Sequence, residues 1–424
     1  MDKTMRRFWI LNHYATTPKT GPMLRHFYFA KCLKDREIET TVFAANELHQ
    51  TGDTVDTHGK PYLRTEEQGV PFVFVKTSKY QGNGISRVKN MLSFFFGLLR
   101  VAKGYARTYG RPDVIMGSSA HPLTSIAGIL LARRFHVPAI VEVRDLWPEA
   151  IFSFGKVKMD SLVGKLLSAG EYWMYRHADA IVFTKEGDVD HIKEMGWDKE
   201  HGGKIDLTKC YYVNNGVQLK DYDKSIKKDI LPDRDLTSDS FKVVYTGTIR
   251  PVNNVGNLLD TAKLLEDYPD IQFLIYGGGS QLEELKERAE KESLHNVIFK
   301  GFVEKKYIPY ILSRSSVNIL NYSQSQYNWS RGNSSNKLFE YMASGKPIIS
   351  TVKMGYCILE KYQCGHSLES CTPRALADEI LKIYQMPDGA YKKMAENARE
   401  GAKDFDFSVL TERLHQVIED VKKD

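Results

Sequence analysis

SVNILNYSQSQYNWSRGNSSNKLFEYMASGKPIISTV, residues 316–352, is the stretch on which the fold turns. It opens on a strand pattern, SVNILNY, closes on another, PIISTV, and carries one helical pattern between them, Asn336 to Ser344. Strands joined through a helix lie parallel, with the helix crossing one face of the sheet. The punctuation agrees. Ser334, Ser335 or Asn336 supplies an N-cap, and Gly345 ends the helix before Lys346 and Pro347 lead into the second strand.

The same alternation runs upstream. FKVVYTG (241–247), IQFLIYGGG (271–279) and NVIFKGF (296–302) read as strands, with helices expected over Val255 to Tyr268, Gln281 to Ser293 and Tyr307 to Ser313. The first half repeats the plan with FWILNHY, ETTVFAA, PFVFVK, DVIMGSS, AIVEVRD and AIVFTK. Met23 to Asp35 and Pro122 to Phe135 are its clearest crossover helices. This is an α/β chain with two doubly wound parallel sheets. A length of 424 residues exceeds what one core serves and fits two domains. The expected limits are 1–217 and 241–406, joined by the polar stretch 218–240 as a linker. The last amphipathic segment, 407–421, has no strand after it and is free to pack on either domain. Ligands of doubly wound sheets sit at the carboxyl ends of the strands, here expected in a cleft between the domains.

Four loops of the second half follow strands directly. In Thr246-Gly247-Thr248-Ile249-Arg250 the glycine lets backbone approach a phosphate and Arg250 can neutralise it. Gly277-Gly278-Gly279 permits close approach but serves a tight strand-to-helix turn equally well. At Lys300-Gly301-Phe302 a strand end offers backbone to the edge of a base. In GNSSNKLFEYMASGK a helix N-terminus presents free N–H groups and positive dipole to an anion. Lys337 adds a full charge in that first turn, and Glu340 follows at i+3 on the same face, able to accept from sugar hydroxyls. The plain alternative is an exposed Lys337–Glu340 pair across one turn.

Composition narrows the class. With 42% hydrophobic and 26% charged residues the chain is an ordinary globular protein. Its start reads as a buried strand rather than a signal peptide, and its longest apolar run, Met91 to Leu99, is too short to span a bilayer, which places it in the cytoplasm. Cys32, Cys210, Cys357, Cys364 and Cys371 form neither a disulfide framework nor a zinc pattern. Within the net charge of +6, residues 76–111 hold Lys76, Lys79, Arg87, Lys89, Arg100, Lys103, Arg107 and Arg111 and no acidic residue, interleaved with Leu92, Phe94, Phe95, Phe96, Leu98 and Leu99. Two readings stay open: a basic amphipathic helix on the inner membrane surface, or a core helix with a basic outer face. No nucleic-acid motif surrounds the patch.

Across nearly its whole length the chain resembles the family 4 retaining glycosyltransferases of the GT-B fold, in the fucosamine-transferase-like bacterial branch that builds O-antigen and capsule repeat units. The likeness is carried by NHYATTPKTGPMLRHFYFAKCL (12–33), SSAHPLTSIAGILLARRFHVPAIVEVRDLWPEA (118–150), RHADAIVFTKEG (176–187), VNNGV (213–217) and NKLFEYMASGKPII (336–349). It implies two facing Rossmann-like domains, acceptor on the first and nucleotide sugar on the second, transfer with retention, no metal or other cofactor, and a terminal helix crossing back to the first domain. Carried onto this chain, the donor site comprises Gly21, Gly247, Thr248, Arg250, Gly277, Gly278, Gly301, Asn333, Ser334, Asn336, Lys337, Leu338 and Glu340. Three positions depart from the pattern. Gly332 stands where the broad family has a glutamate, leaving Asn333 or Ser334 to substitute; Thr248 and Asn254 stand where it has arginine and lysine; and Pro22 follows Gly21, removing one backbone N–H.

On the acceptor side, His121 and Asp145 each lie just beyond a strand, and His or Asp is the usual agent for easing a proton from a hydroxyl. Alone, a loop histidine is more often simply hydrogen-bonded; the match over His121-Pro122 and Arg144-Asp145-Leu146-Trp147-Pro148 favours function, with Glu149 in reserve. The expected catalytic set is His121, Asp145 and Lys337, the last stabilising the departing diphosphate. The branch implies UDP as carrier, a hexosyl or N-acetylhexosaminyl unit, and a polyprenyl-diphosphate-linked saccharide as acceptor. Asp-x-Asp strings at 188/190, 221/223, 233/235 and 404/406 are the basis for a metal-dependent rival, but none falls in a donor-type loop. A nucleotide-sugar epimerase of the same fold and a non-catalytic sugar-nucleotide-binding protein are the competing functions. A nicotinamide dehydrogenase is disfavoured, because Leu11 to Gly21 lacks a GxGxxG loop.

Overall fold

The computed structural model describes residues 6–49, 52–82, 84–119, 121–153, 157–324 and 328–422. Two compact units emerge: the chain up to Asn214 together with Phe407 onward, and Asn215–Asp406.

In the first unit eight strands form one sheet: β1 (Arg6–Leu11), β2 (Ile38–Ala45), β3 (Tyr62–Glu67), β4 (Val70–Val75), β5 (Val114–Ser118), β6 (Ala139–Val143), β7 (Ala180–Phe183) and β8 (Cys210–Tyr212). Their order is β3-β4-β2-β1-β5-β6-β7-β8, parallel throughout except that β3 runs antiparallel to β4 at one edge. The central strands are buried on both faces, which is why they read as unbroken apolar runs. Helix Pro122–Phe135 begins with proline at its first turn and ends on His136 in the left-handed region. The chain order reverses between β1 and β5, so the loops after those strands open the crevice of this sheet.

The second unit has β9 (Phe241–Thr246), β10 (Ile271–Tyr276), β11 (Val297–Gly301), β12 (Val317–Leu320), β13 (Ile348–Ser350) and β14 (Gly365–Ser367), in the order β11-β10-β9-β12-β13-β14. Every pairing is parallel. Renumbered from β9, this is the 3-2-1-4-5-6 order of a dinucleotide-binding sheet, with its switch point between β9 and β12.

The expected linker is not one. Residues 218–240 contain helix Leu219–Lys228 and a turn at Arg234–Thr237, and they belong to the second unit. Tyr222 and Leu236 are buried, Tyr276 donates its hydroxyl to Asp233 (2.7 Å), and Leu219 N–H donates to Asp406 (2.8 Å). So few apolar residues anchor the segment that its composition looks like solvent-exposed chain. The terminal helix Phe407–Asp420 packs on helix Arg25–Lys34, with Phe407 against Tyr28 and Phe29. Leu410, Leu414, Val417 and Ile418 form its buried stripe. Each large apolar side chain buried in that stripe contributes about 1.5–3 kcal/mol toward holding the chain end on the first unit.

Candidate functional site

At the switch point of the second sheet, helix Asn336–Ala343 delivers Lys337 to the ends of β9 and β12. Its ammonium lies 4.9 Å from the ring centroid of Tyr245 and 4.8 Å from that of Tyr322, and donates to the Tyr245 hydroxyl at 3.4 Å. A Cβ built on Gly247 would come within 2.8 Å of the same nitrogen, so the glycine at the end of β9 makes room for the lysine. Glu340 pairs with Lys305, not with Lys337. Among the described residues Lys337 has no carboxylate partner. Burial, then the repulsion of Arg250, hold its ammonium down to about 7; Glu340 pulls the other way and Lys305 adds to the lowering. The lysine thus lies half-buried in the first turn of the helix, with Arg250 and Lys305 as its cationic neighbours.

The neighbouring positions divide by use. Ser335 is the N-cap, and its buried hydroxyl has no partner. Asn333 spends its side-chain oxygen on Ser335 N–H (2.7 Å), building the turn into the helix, while Asn215 donates to Ser334 carbonyl (2.7 Å). Leu338 is core, and its N–H donates to Ser335 carbonyl (3.2 Å). Asn336, Thr248 and Arg250 are exposed. Of the triple glycine, Gly277 and Gly279 are required by packing. A Cβ at 277 would meet Gly247 carbonyl at 1.7 Å, and one at 279 would meet Ile249 carbonyl at 2.2 Å. Gly278 meets nothing closer than Phe302 Cβ at 3.9 Å. Gly301 takes a positive φ of 71° at the end of β11, and Phe302 after it is 80% exposed beside Gly278. Ser335 was among the N-cap candidates and Phe302 stood in a strand-end loop, whereas Lys305, Tyr245 and Tyr322 were not singled out by the sequence.

In the first unit the loops after β1 and β5 bring His13 and His121 together, Nδ1 of His13 to Nε2 of His121, at 2.7 Å. His121 is the N-cap of helix Pro122–Phe135 and 1% exposed; its Nδ1 has no partner. Burial, with the Arg87 guanidinium adding to it, lowers its pKa to about 3. His13 was overlooked although it follows β1 as His121 follows β5. Asp145 is exposed and, among the described residues, takes part in no hydrogen bond or ion pair. Glu149 lies 3.9 Å from His191, which binds buried Glu171 at 3.1 Å. Arg144 keeps its backbone N–H on Ser119 Oγ (3.1 Å). Gly21 N–H donates to Thr17 carbonyl (3.1 Å), so the donor-facing N–H expected of it is spent within its own loop.

Beneath this crevice lies a buried charge cluster. Glu142 of β6 accepts from Arg25 (2.9 Å), His26 (2.8 Å) and Ser118 (2.5 Å), and Asn12 donates to Ser118 (2.8 Å). Burial opposes the Glu142 charge, but Arg25 and His26 overcome it and hold the carboxyl well below its usual range. The cluster ties β1, β5 and β6 together under the histidines. A lone glutamate in the apolar strand AIVEV is the signal that could have revealed it, since a charge buried there must be paired. Of the Asp-x-Asp strings, Asp233 and Asp235 are both bound by Lys300.

Each unit thus carries a parallel sheet with polar or charged side chains at its switch point, the arrangement of a nucleotide-binding α/β protein. Residues 227–401 match the family model "Glycosyl transferases group 1", and residues 25–202 match "Glycosyl transferase 4-like domain". The chain belongs to the glycosyltransferases of the GT-B fold, of the family 4 type. It is 25% identical over 264 residues to TuaH of Bacillus subtilis (strain 168), named for teichuronic acid biosynthesis, a match spanning 61% of this chain and 62% of that protein. Among solved structures, sucrose-phosphate synthase from Thermosynechococcus elongatus superposes with a TM-score of 0.70 at 16% identity, covering 99% of both chains. HepE of Anabaena in complex with UDP gives 0.68 at 13% identity, covering 98% of this chain and 100% of that one.

Proposed function

We propose that the protein transfers a hexosyl or N-acetylhexosaminyl unit from a UDP-sugar to a polyprenyl-diphosphate-linked saccharide, with retention of anomeric configuration and without a metal, during assembly of a surface polysaccharide. The observation that carries this reading is Lys337, a half-buried cation that among the described residues has no carboxylate partner, at the switch point of a dinucleotide-type sheet. The diphosphate lies on Lys337 and the helix start, with Arg250 beside it; Glu340, released from Lys305, accepts from sugar hydroxyls; Phe302 offers a ring to the base. As the sugar–phosphate bond breaks, charge grows on the leaving diphosphate where Lys337 can compensate it. His121 Nδ1 takes the proton of the acceptor hydroxyl, and Asp145 stands in reserve. Support for UDP comes from the HepE complexes with UDP and with UDP-glucose, and support for a surface polymer from the naming of TuaH.

A lipid-linked acceptor requires access to a membrane, and among the described residues no helix is long and apolar enough to cross one. Helix Ile85–Tyr109 supports docking instead. Its inner face buries Phe94, Leu98, Val101, Ala102 and Tyr105, while its outer face exposes Ile85, Val88, Leu92 and Phe96 and then Arg100, Lys103 and Arg107. The core reading describes the inner face of this helix, and the outer face has the apolar and basic residues that the docking reading needs. Leu162, Val163 and Leu166, also exposed, begin helix Leu162–His177 of the same unit. We assign these apolar strips to the inner membrane surface, with the basic residues facing anionic headgroups.

The test is a panel of UDP-sugars incubated with polyprenyl-diphosphate saccharides in excess EDTA, with the linkage read by NMR. Transfer with retention is expected. Donor conversion without acceptor would favour an epimerase, and binding without turnover a sensor.

A further inference from the structure

The protons of the buried histidine pair can be assigned one after another, starting from a carbonyl. Asn90 lies fully buried in helix Ile85–Tyr109, and its Nδ2 faces Ser78 carbonyl at 2.5 Å and Thr77 Oγ1 at 3.1 Å. A carbonyl can only accept, so this amide cannot be flipped, and its Oδ1 must be the atom 2.7 Å from His13 Nε2. Oδ1 has no proton to give. His13 Nε2 therefore carries one and donates it. Burial, followed by the neighbouring His121, pushes His13 well below its ordinary range, so its ring is neutral and its Nδ1 bare. That bare nitrogen sits 2.7 Å from His121 Nε2, which must then be the donor. Thr124 Oγ1, at 3.4 Å, is the only other hydrogen-bond partner of that nitrogen among the described residues. His121 is also neutral, so its single proton is on Nε2 and its lone pair is on Nδ1, the atom without a partner.

We propose that Asn90 and His13 are positioning residues which hold His121 in the Nε2–H tautomer and so reserve Nδ1 as the proton acceptor for the incoming hydroxyl. This rests on the reading of His121 as the base. The opposite tautomer would set an N–H against the hydroxyl proton, donor against donor. In the transfer step the acceptor oxygen bonds the anomeric carbon, the bond from that carbon to the diphosphate breaks, and the hydroxyl proton moves to Nδ1. The resulting imidazolium is stabilised through its Nε2–H by His13 Nδ1, and beyond it by the Asn90 amide dipole. No carboxylate takes part, so the relay fixes the tautomer of the ring without drawing a second proton onto it in the resting state. An unpartnered buried lone pair carries a desolvation cost, which a bound hydroxyl removes.

The first measurement needs no variant. In full-length protein labelled with ¹⁵N-histidine, NMR should show both His13 and His121 with protonated Nε2 and bare Nδ1; an Nδ1–H on either ring overturns the relay. Two variants then separate positioning from packing. His13→Phe keeps the ring contact with Phe94 but removes the acceptor, and should lower kcat by about ten- to a hundredfold, within the range of acid–base effects, at unchanged donor KM. His13→Gln can accept from His121 and donate to Asn90, and should recover turnover to within about threefold of wild type. Full turnover in His13→Phe, or no recovery in His13→Gln, refutes the relay while His121 keeps its role. Wild-type turnover in His121→Ala refutes the underlying assignment instead. Thermal stabilisation by UDP, retained in both His13 variants, serves as the control for folding.

Discussion

Binding a nucleoside diphosphate should draw a proton from solution, and Lys337 sets the amount. With its pKa near 7 in the empty site, the lysine is half neutral at pH 7 and about nine-tenths neutral at pH 8. A bound diphosphate adds negative charge where Arg250 and Lys305 now repel, which returns the group toward its ordinary value and reprotonates it. At pH 8 the terminal phosphate, with its second pKa near 6, is already ionised, so the uptake belongs to the protein. Titration calorimetry of UDP in buffers of differing ionisation enthalpy should give an uptake of about 0.9 proton at pH 8 and about 0.5 at pH 7. Affinity should weaken about fivefold from pH 6 to pH 8, about tenfold from the lysine offset about twofold by ionisation of the terminal phosphate, a net loss of about 1 kcal/mol. In Lys337→Met the uptake should vanish and the pH dependence flatten. An uptake near zero in the wild type, or one that survives in Lys337→Met, would refute the assignment of this lysine to the diphosphate.

Lys337→Ala should lower kcat by at least about tenfold in a transfer assay, within the range seen on losing a charge-stabilising group. Gly277→Ala forces a Cβ onto Gly247 carbonyl at 1.7 Å and should cost about 2–4 kcal/mol in urea unfolding, whereas Gly278→Ala, with 3.9 Å of clearance, should cost under about 1 kcal/mol. Leu92→Asp with Phe96→Asp should reduce sedimentation with anionic vesicles by at least about tenfold and leave the melting temperature unchanged, since both side chains are exposed; a wild-type protein that ignores such vesicles ends the docking proposal. His121 is neutral when folded but charges below about 6.5 when unfolded, so the unfolded state binds more protons as pH falls from 6.5 toward 3. Stability is thus lost on acidification, by about 2 kcal/mol between pH 7 and pH 5 from this residue, and urea melts of wild type and His121→Phe should differ by that amount.

Apolar runs and turn residues made the central strands and crossover helices legible, and helix Pro122–Phe135 occurs at its expected limits. What escaped was short, polar or at an edge. β8 and β14 have three residues each, too few to show a period, and β3, YLRTEE, pairs along one edge only and carries charge. The site was legible where backbone geometry demands a residue type, as at Gly247 and at the helix start before Lys337. It was not legible where partners meet across the sequence. Glu340 had an apparent partner three residues back in Lys337, yet it pairs with Lys305, 35 residues away, because Lys337 turns between two tyrosines instead. Triple glycine left open close approach to a ligand or an ordinary tight turn, and two of its members are explained by the neighbouring loop's carbonyls.

Both units place their chemistry at the same topological point, and the difference in chemistry follows from what each point encloses. In the second sheet the ends of β9 and β12 contribute Tyr245 and Tyr322, aromatic faces that tolerate a cation without neutralising it, so Lys337 stays available for an anion. In the first sheet the ends of β1 and β5 contribute His13 and His121, while Glu142 is bound to Arg25 and His26. Burial lowers the pKa of both imidazoles, and among the described residues the ring nitrogen of this pair left without a partner is His121 Nδ1. Replacing Arg25 leaves Glu142 short of a partner in a buried strand and should weaken the fold, because an uncompensated buried charge is costly.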